Sequence, residues 1–229
     1  ANIKYRKSGA GFFERKVVKD LLAFLRVAHN PRDSVNFERA VKACTTGIGE
    51  QTFEKLLQLA RVYDLTMLDA ALRSDELDRV TKKQTDALKA FAYMMIEVRA
   101  IANTQDAATV LHAILDKTKY REQYIEASSR AEQEDDDEAI REAEYHLRTI
   151  DDFVQYIEGL ANSRNQSKVA LSDMLDIIAV MCSIDEGVFG FDEKGSLNLM
   201  SIHASKGLEA PVVFVVGLEE GILPVGLHD

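Results

Sequence analysis

The amino-acid sequence predicts a mainly α-helical fold that ends in a short α/β tail. Three observations predict it. The 229 residues include only 3 Pro and 12 Gly, so little interrupts long helices. Apolar residues recur at spacings of three and four through most of the chain, which is the pattern of one buried helix face. Beyond position 196 that pattern gives way to short β-branched runs, above all 212–216 (VVFVV), which reads as a strand buried in a parallel sheet. A lone strand of that kind needs neighbours, so much of its sheet is expected outside this chain.

The elements follow in order. Residues 2–7 read as a short strand and 8–11 as a loop. From Phe12 the pattern turns helical, with Val17, Val18, Leu21, Leu22, Phe24, Leu25 and Ala28 as its apolar positions. Asn30-Pro31 stops it, because the residue before proline is driven out of the α region. Residues 36–44 form a short helix, 45–50 (TTGIGE) break it with two glycines, and 51–63 resume with Phe53, Leu56, Leu57, Ala60 and Val62. Helices are then expected over 67–72 and 82–103. Another follows Asp106, a residue suited to capping. Further helices cover 120–130, 140–160 and 171–182. Leu197 to Ile202 alternates like a strand.

Composition bounds the function. A 46% hydrophobic and 29% charged chain is an ordinary water-soluble one. No apolar stretch nears the ~20 residues that span a bilayer, and the first residues lack a signal-peptide pattern. Cytoplasm is therefore the expected compartment, with no membrane partner. Cys44 and Cys182 read as buried free thiols rather than a disulfide framework. The net charge of −10 opposes a generally nucleic-acid-binding surface, yet phosphate contacts are local. The first 26 residues carry Lys4, Arg6, Lys7, Arg15, Lys16, Lys19 and Arg26 against Glu14 and Asp20. Negative charge concentrates in 132–138 (EQEDDDE), which reads as a solvated loop or helix end.

Residues 201–209 (SIHASKGLE) form a loop at the carboxyl end of a strand, where α/β sheets place ligand sites. Its small residues admit a phosphate backbone, Gly207 permits an unusual φ, and Lys206 offers a point charge. The Gly47-Ile48-Gly49 turn precedes a helix, so backbone N–H groups at a positive helix end are available to phosphate. Thr45, Thr46 and Thr52 add hydroxyls.

The run 199–224 (LMSIHASKGLEAPVVFVVGLEEGILP) resembles motif V of the UvrD/PcrA/Rep helicases of superfamily 1. Residues 11–25 (GFFERKVVKDLLAFL) resemble that family's helix entry at the border of domains 2A and 2B, and AHNP through TTGIG is similar to its 2B domain. The ordered resemblance covers essentially the whole chain. It implies single-strand contacts by Ser201, His203, Ser205 and Lys206, and a partial nucleotide site at Gly207 and Glu209. It implies duplex contact by the glycine turn, at Thr45, Thr46, Gly47, Ile48, Gly49 and Thr52. Ala210 stands where the family usually has Phe, and Val17 where Glu is common.

The decoy 177–186 (IIAVMCSIDE) imitates a Walker B strand, but its apolar positions are helical in spacing. The chain has no Gly-Lys-Ser or Gly-Lys-Thr for a P-loop. Neither its five histidines nor its cysteines have metal-ligand spacing.

The resemblance implies that residues 1–10 close a 2A-like piece and hinge, 11–196 form a helical 2B-like domain, and 197–229 a 2A-like piece with motif V. The intact protein would be an ATP-dependent 3′-to-5′ DNA helicase using ATP and Mg2+. This stretch would be its regulatory, duplex-contacting part, with no catalytic residue, metal or cofactor of its own and no activity alone. Its expected partners are single-stranded DNA, a duplex junction, and repair or replication proteins. The alternative is a protein-interaction module of a RecB/AddA-like helicase-nuclease, recruiting a partner through the acidic run.

Overall fold

A 3₁₀ turn at Phe12–Glu14 leads into α1 (Lys16–His29), the helix around which the larger part of the molecule packs. The computed structural model describes residues 5–8, 11–163, 169–187, 197–200 and 210–218. It divides into two units, one of Phe12–Ser183 and one of Ala1–Gly11 with Ile184–Asp229.

Val17, Val18, Leu21, Leu22, Phe24, Leu25 and Val27 of α1 are all buried. A helix apolar on nearly every side belongs inside a core rather than on its surface. Val17 takes part in that packing at 1% exposure. The helix ends where expected, with Asn30 extended at φ −124° before Pro31. Asp33 caps α2 (Ser34–Cys44) by accepting from Asn36 N at 3.0 Å. Next come α3 (Glu50–Val62), α4 (Met67–Leu72) and α5 (Lys82–Ala102). Thr66 caps α4, and Asp106 caps α6 (Ala107–Thr118) through Thr109 N at 2.8 Å. Helices α7 (Glu122–Glu134) and α8 (Asp137–Ser163) pack along each other, and α9 (Leu171–Gly187) follows. Helix α1 touches α2, α5, α6 and α8, so its burial organises the unit. An aromatic chain runs through the core: Phe37 meets Phe91 edge-on at 5.3 Å, and Phe24 meets both Phe91 and Tyr120.

The described helices make the molecule mainly α, as the periodicity predicts. Residues 177–186 lie in α9, so the apolar run before Asp185-Glu186 is helical. The acidic run forms the α7–α8 corner. Asp135 ends α7 at φ 57°, and Asp136 Oδ1 accepts from Glu138 N and Ala139 N to start α8. Val62 departs from expectation: it is 67% exposed because it sits two residues past Ala60, about 200° around the helix from the buried face.

In the smaller unit, β1 (Tyr5–Ser8) and β2 (Leu197–Met200) pair in parallel, Tyr5 opposite Leu197 and Ser8 opposite Met200. The expectation of a buried strand at 212–216 is corrected. These residues adopt no strand, and Val212, Val213, Phe214, Val215 and Val216 are 52–82% exposed. Parallel strands are stable when both edges are paired and both faces covered. Among the described residues no strand lies beside 212–216.

Candidate nucleic-acid interface

The corner between α2 and α3 is built by four successive devices. Thr45 closes α2, donating from its backbone N to Val41 O at 2.9 Å and from Oγ1 to the same oxygen at 2.6 Å. Gly47 then turns the chain at φ +88°, with nothing within 4 Å of where a Cβ would stand. Glycine is needed there for its backbone conformation, not for space. Ile48, 6% exposed, pins the turn to the core. Gly49 is the N-cap of α3, extended at φ −85° and ψ 172°, and it supplies no side-chain cap. Its carbonyl accepts from Thr52 N and Phe53 N, both at 3.1 Å. That leaves Glu50 and Gln51, the two exposed residues that open α3, without a capping side chain at the positive end of the helix dipole.

A second helix start lies against this turn. Thr81 and Gln84 form a capping box at α5: Thr81 Oγ1 accepts from Gln84 N, and Thr81 N donates to Gln84 Oε1 at 2.9 Å. The same Gln84 side chain donates through Nε2 to Gly47 O at 2.7 Å and to Thr52 Oγ1 at 3.3 Å. Lys55 of α3 donates to Asp78 O at 2.7 Å, tying down the turn before α5. Arg79 sits in that turn at φ 54°, its side chain 88% exposed. Lys82 and Lys83 follow, both exposed in the first turn of α5, where the dipole disfavours cations. Glu50, Glu54 and Asp78 lie on the same two segments. The corner therefore has no large positive excess, and its affinity for an anion would rest on open amides and on where Lys82 and Lys83 stand.

The structure brings the six predicted residues of the glycine turn together but gives them different environments. Gly47 and Gly49 are exposed, as is Thr46. Ile48 and Thr52 are buried, and Thr45 is bonded back to its own helix. Ser201, His203, Ser205, Lys206, Gly207 and Glu209 lie outside the described residues. Sequence reasoning missed Gln84, Lys82 and Lys83. Thr81-Lys82-Lys83-Gln84 does read as a capping box, but its bond to Gly47 spans 37 residues.

A separate concavity of about 500 Å³ lies over Asp20, lined by Lys16, Glu38, Arg39, Lys42, Tyr120 and Tyr124 among others. Its charges are largely paired within the protein. Arg39 Nε and Tyr120 OH each donate to Asp20 at 2.7 Å, and Lys42 donates to Glu38 at 2.6 Å. Burial, followed by the bond to Tyr124 and the Asp20 charge, pushes the Tyr120 hydroxyl well above the usual phenol range. Among the described residues no group of three or more His, Cys, Asp or Glu could hold a metal ion. No described helix is long and apolar enough to cross a membrane.

Comparison with known proteins gives a concordant picture. The family model of the UvrD-like helicase C-terminal domain matches residues 1–228. The chain is similar to the ATP-dependent DNA helicase PcrA of Bacillus subtilis, 34% identical over 220 residues, covering 94% of this chain and 28% of that protein. PcrA of Leuconostoc citreum is 29% identical over 231 residues, and PcrA of Staphylococcus epidermidis 28% over 230; each match covers 98% of this chain and 29% of the relative. The chain thus spans less than a third of the length of these curated relatives.

Proposed function

This chain belongs to the UvrD-like helicase C-terminal domain family, and from that premise we propose that it is the duplex-contacting, regulatory 2B part of an ATP-dependent DNA helicase. The intact enzyme would move 3′ to 5′ on single-stranded DNA. One observation carries the role of this part: the exposed glycine turn delivers the uncapped N-terminus of α3. Such an end binds a phosphate oxygen through amide N–H groups and the helix dipole, without reading base identity. Ile48 and Gln84 hold the turn from behind, so the amides are placed before DNA arrives and less ordering entropy opposes binding.

The remaining assignments belong to the same reading. Ser201, His203, Ser205 and Lys206 would contact the single strand, and Gly207 and Glu209 would border the nucleotide. The rest of the site for ATP and Mg2+ would lie elsewhere in the enzyme. Repair or replication proteins would be its protein partners, and the cytoplasm its compartment.

Gly49→Asp tests the reading because it separates folding from binding. An aspartate at the N-cap accepts from the first-turn amides and supports α3, while it fills the donors meant for phosphate and adds a negative charge. The protein should keep its thermal stability and lose about tenfold or more in affinity for a duplex junction at low salt, by fluorescence anisotropy. Unchanged junction affinity in a Gly49→Asp protein would remove the glycine turn from the interface.

A further inference from the structure

We infer that Gln84 is a positioning residue for duplex binding: it sets the glycine turn from α5, across 37 residues of sequence. The inference rests on the reading of that turn as a duplex contact. Four bonds converge on one side chain. Gln84 Oε1 accepts from Thr81 N at 2.9 Å and from Thr81 Oγ1 at 3.0 Å, and Gln84 Nε2 donates to Gly47 O at 2.7 Å and Thr52 Oγ1 at 3.3 Å. Thr52 is 7% exposed and lies in the first turn of α3. Gln84 therefore grips the turn on both sides of Gly49, at Gly47 before it and at Thr52 after it.

The chemistry of the amide explains why glutamine is needed. Capping α5 takes only an acceptor, which glutamate supplies equally well. Holding Gly47 O takes a donor on the same side chain, and a carboxylate has none. Gly47 has no side chain of its own, and its φ of +88° is reached through rotation about a soft backbone. Ile48 anchors the turn on its core side, and fixing the Gly47 carbonyl takes an outside group. Gln84 is that group, and it also fixes the first turn of α5, with exposed Lys82 and Lys83, relative to α3.

Two substitutions test this. Gln84→Glu keeps the cap on α5 and loses the donor, whereas Gln84→Met is neutral and loses both. The protein carrying each is titrated with a forked duplex and with single-stranded DNA, and its melting temperature is recorded. The expected result is about a fivefold loss of forked-duplex affinity in both variants, the worth of roughly one hydrogen bond. Single-strand affinity should stay within about twofold, and Gln84→Glu should melt within a few degrees of wild type. A purely structural role would instead show as a fall in melting temperature with both DNA affinities falling together, and that outcome overturns the inference. Gly49→Asp runs alongside. If it weakens duplex binding and neither Gln84 variant does, Gln84 has no positioning role and the glycine turn keeps its own. If Gly49→Asp has no effect, the underlying reading fails and the inference with it.

Discussion

The guanidinium of Arg39 on α2 donates through Nε to Asp20 Oδ1 on α1 at 2.7 Å, and Asp20 is only 4% exposed. Tyr120 OH donates to the other carboxylate oxygen, also at 2.7 Å, so a charge within the main helix is matched from two directions. Removing one partner of a buried pair strands the other. Because Arg39 is itself 38% exposed, Arg39→Ala should cost about 2–3 kcal/mol, below the range for a fully enclosed pair. Urea denaturation measures it; a loss under about 0.5 kcal/mol would place the pair among ordinary surface bridges.

The two glycines of the turn should respond differently to alanine. Gly47 sits at φ +88°, so Gly47→Ala should destabilise by about 1–2 kcal/mol even though its Cβ meets nothing. Gly49 is extended at φ −85°, a conformation open to any residue, and Gly49→Ala should cost under about 1 kcal/mol. Equal losses in thermal melts of the two variants would contradict this account of the turn.

Lys82 and Lys83 should report through salt. If each neutralises one duplex phosphate, Lys82→Gln and Lys83→Gln should each reduce the slope of log affinity against log salt by about 1. Duplex titrations at several salt concentrations give that slope, and an unaltered value would place the lysine off the DNA.

His146 lies tilted against Tyr124, with ring centroids 4.7 Å and ring planes 39° apart. Burial, opposed by Glu142, holds its imidazole below the usual histidine range. The unfolded chain then binds a proton more readily than the folded one. The resulting stability is complete above the unfolded value near 6.5 and is lost as pH falls through the folded value. His146→Gln should therefore narrow the gap between melts at pH 7.5 and pH 5, and a gap as wide as wild type would count against this ring as its source.

Burial pushes the Cys44 thiol up to about 12, well above the usual thiol range. Since the thiolate is the reactive form, and its greater intrinsic nucleophilicity offsets only part of its scarcity, alkylation of Cys44 at pH 8 should be at least about tenfold slower in the folded protein than in urea. Mass spectrometry of the Cys44 peptide reads the rate, and equal rates in the two states would exclude a shielded thiol.

Local signals were legible in the sequence where local physics decides. Proline after Asn30, the cap at Asp106 and the spacing of Phe53, Leu56 and Ala60 each act within one or two helical turns. The glycine turn was legible for the same reason, since its backbone needs no distant partner to declare itself. Val62 was misread because a list of apolar residues ignores the angle at which each leaves the helix. The run 212–216 shows a buried strand's composition without a strand's neighbours, and composition alone cannot supply them.

The sequence by itself determined a mainly helical chain, its family, and a glycine turn that opens a helix. Only the tertiary structure decided which groups around that turn act together. It set Gln84 against Gly47, Lys55 against Asp78, and Arg39 and Tyr120 against Asp20. The physical reason is range. Helix periodicity and capping are settled among residues at most a few positions apart. Those cross-helix bonds join residues 19 to 100 positions apart, and they exist only once the buried faces have packed.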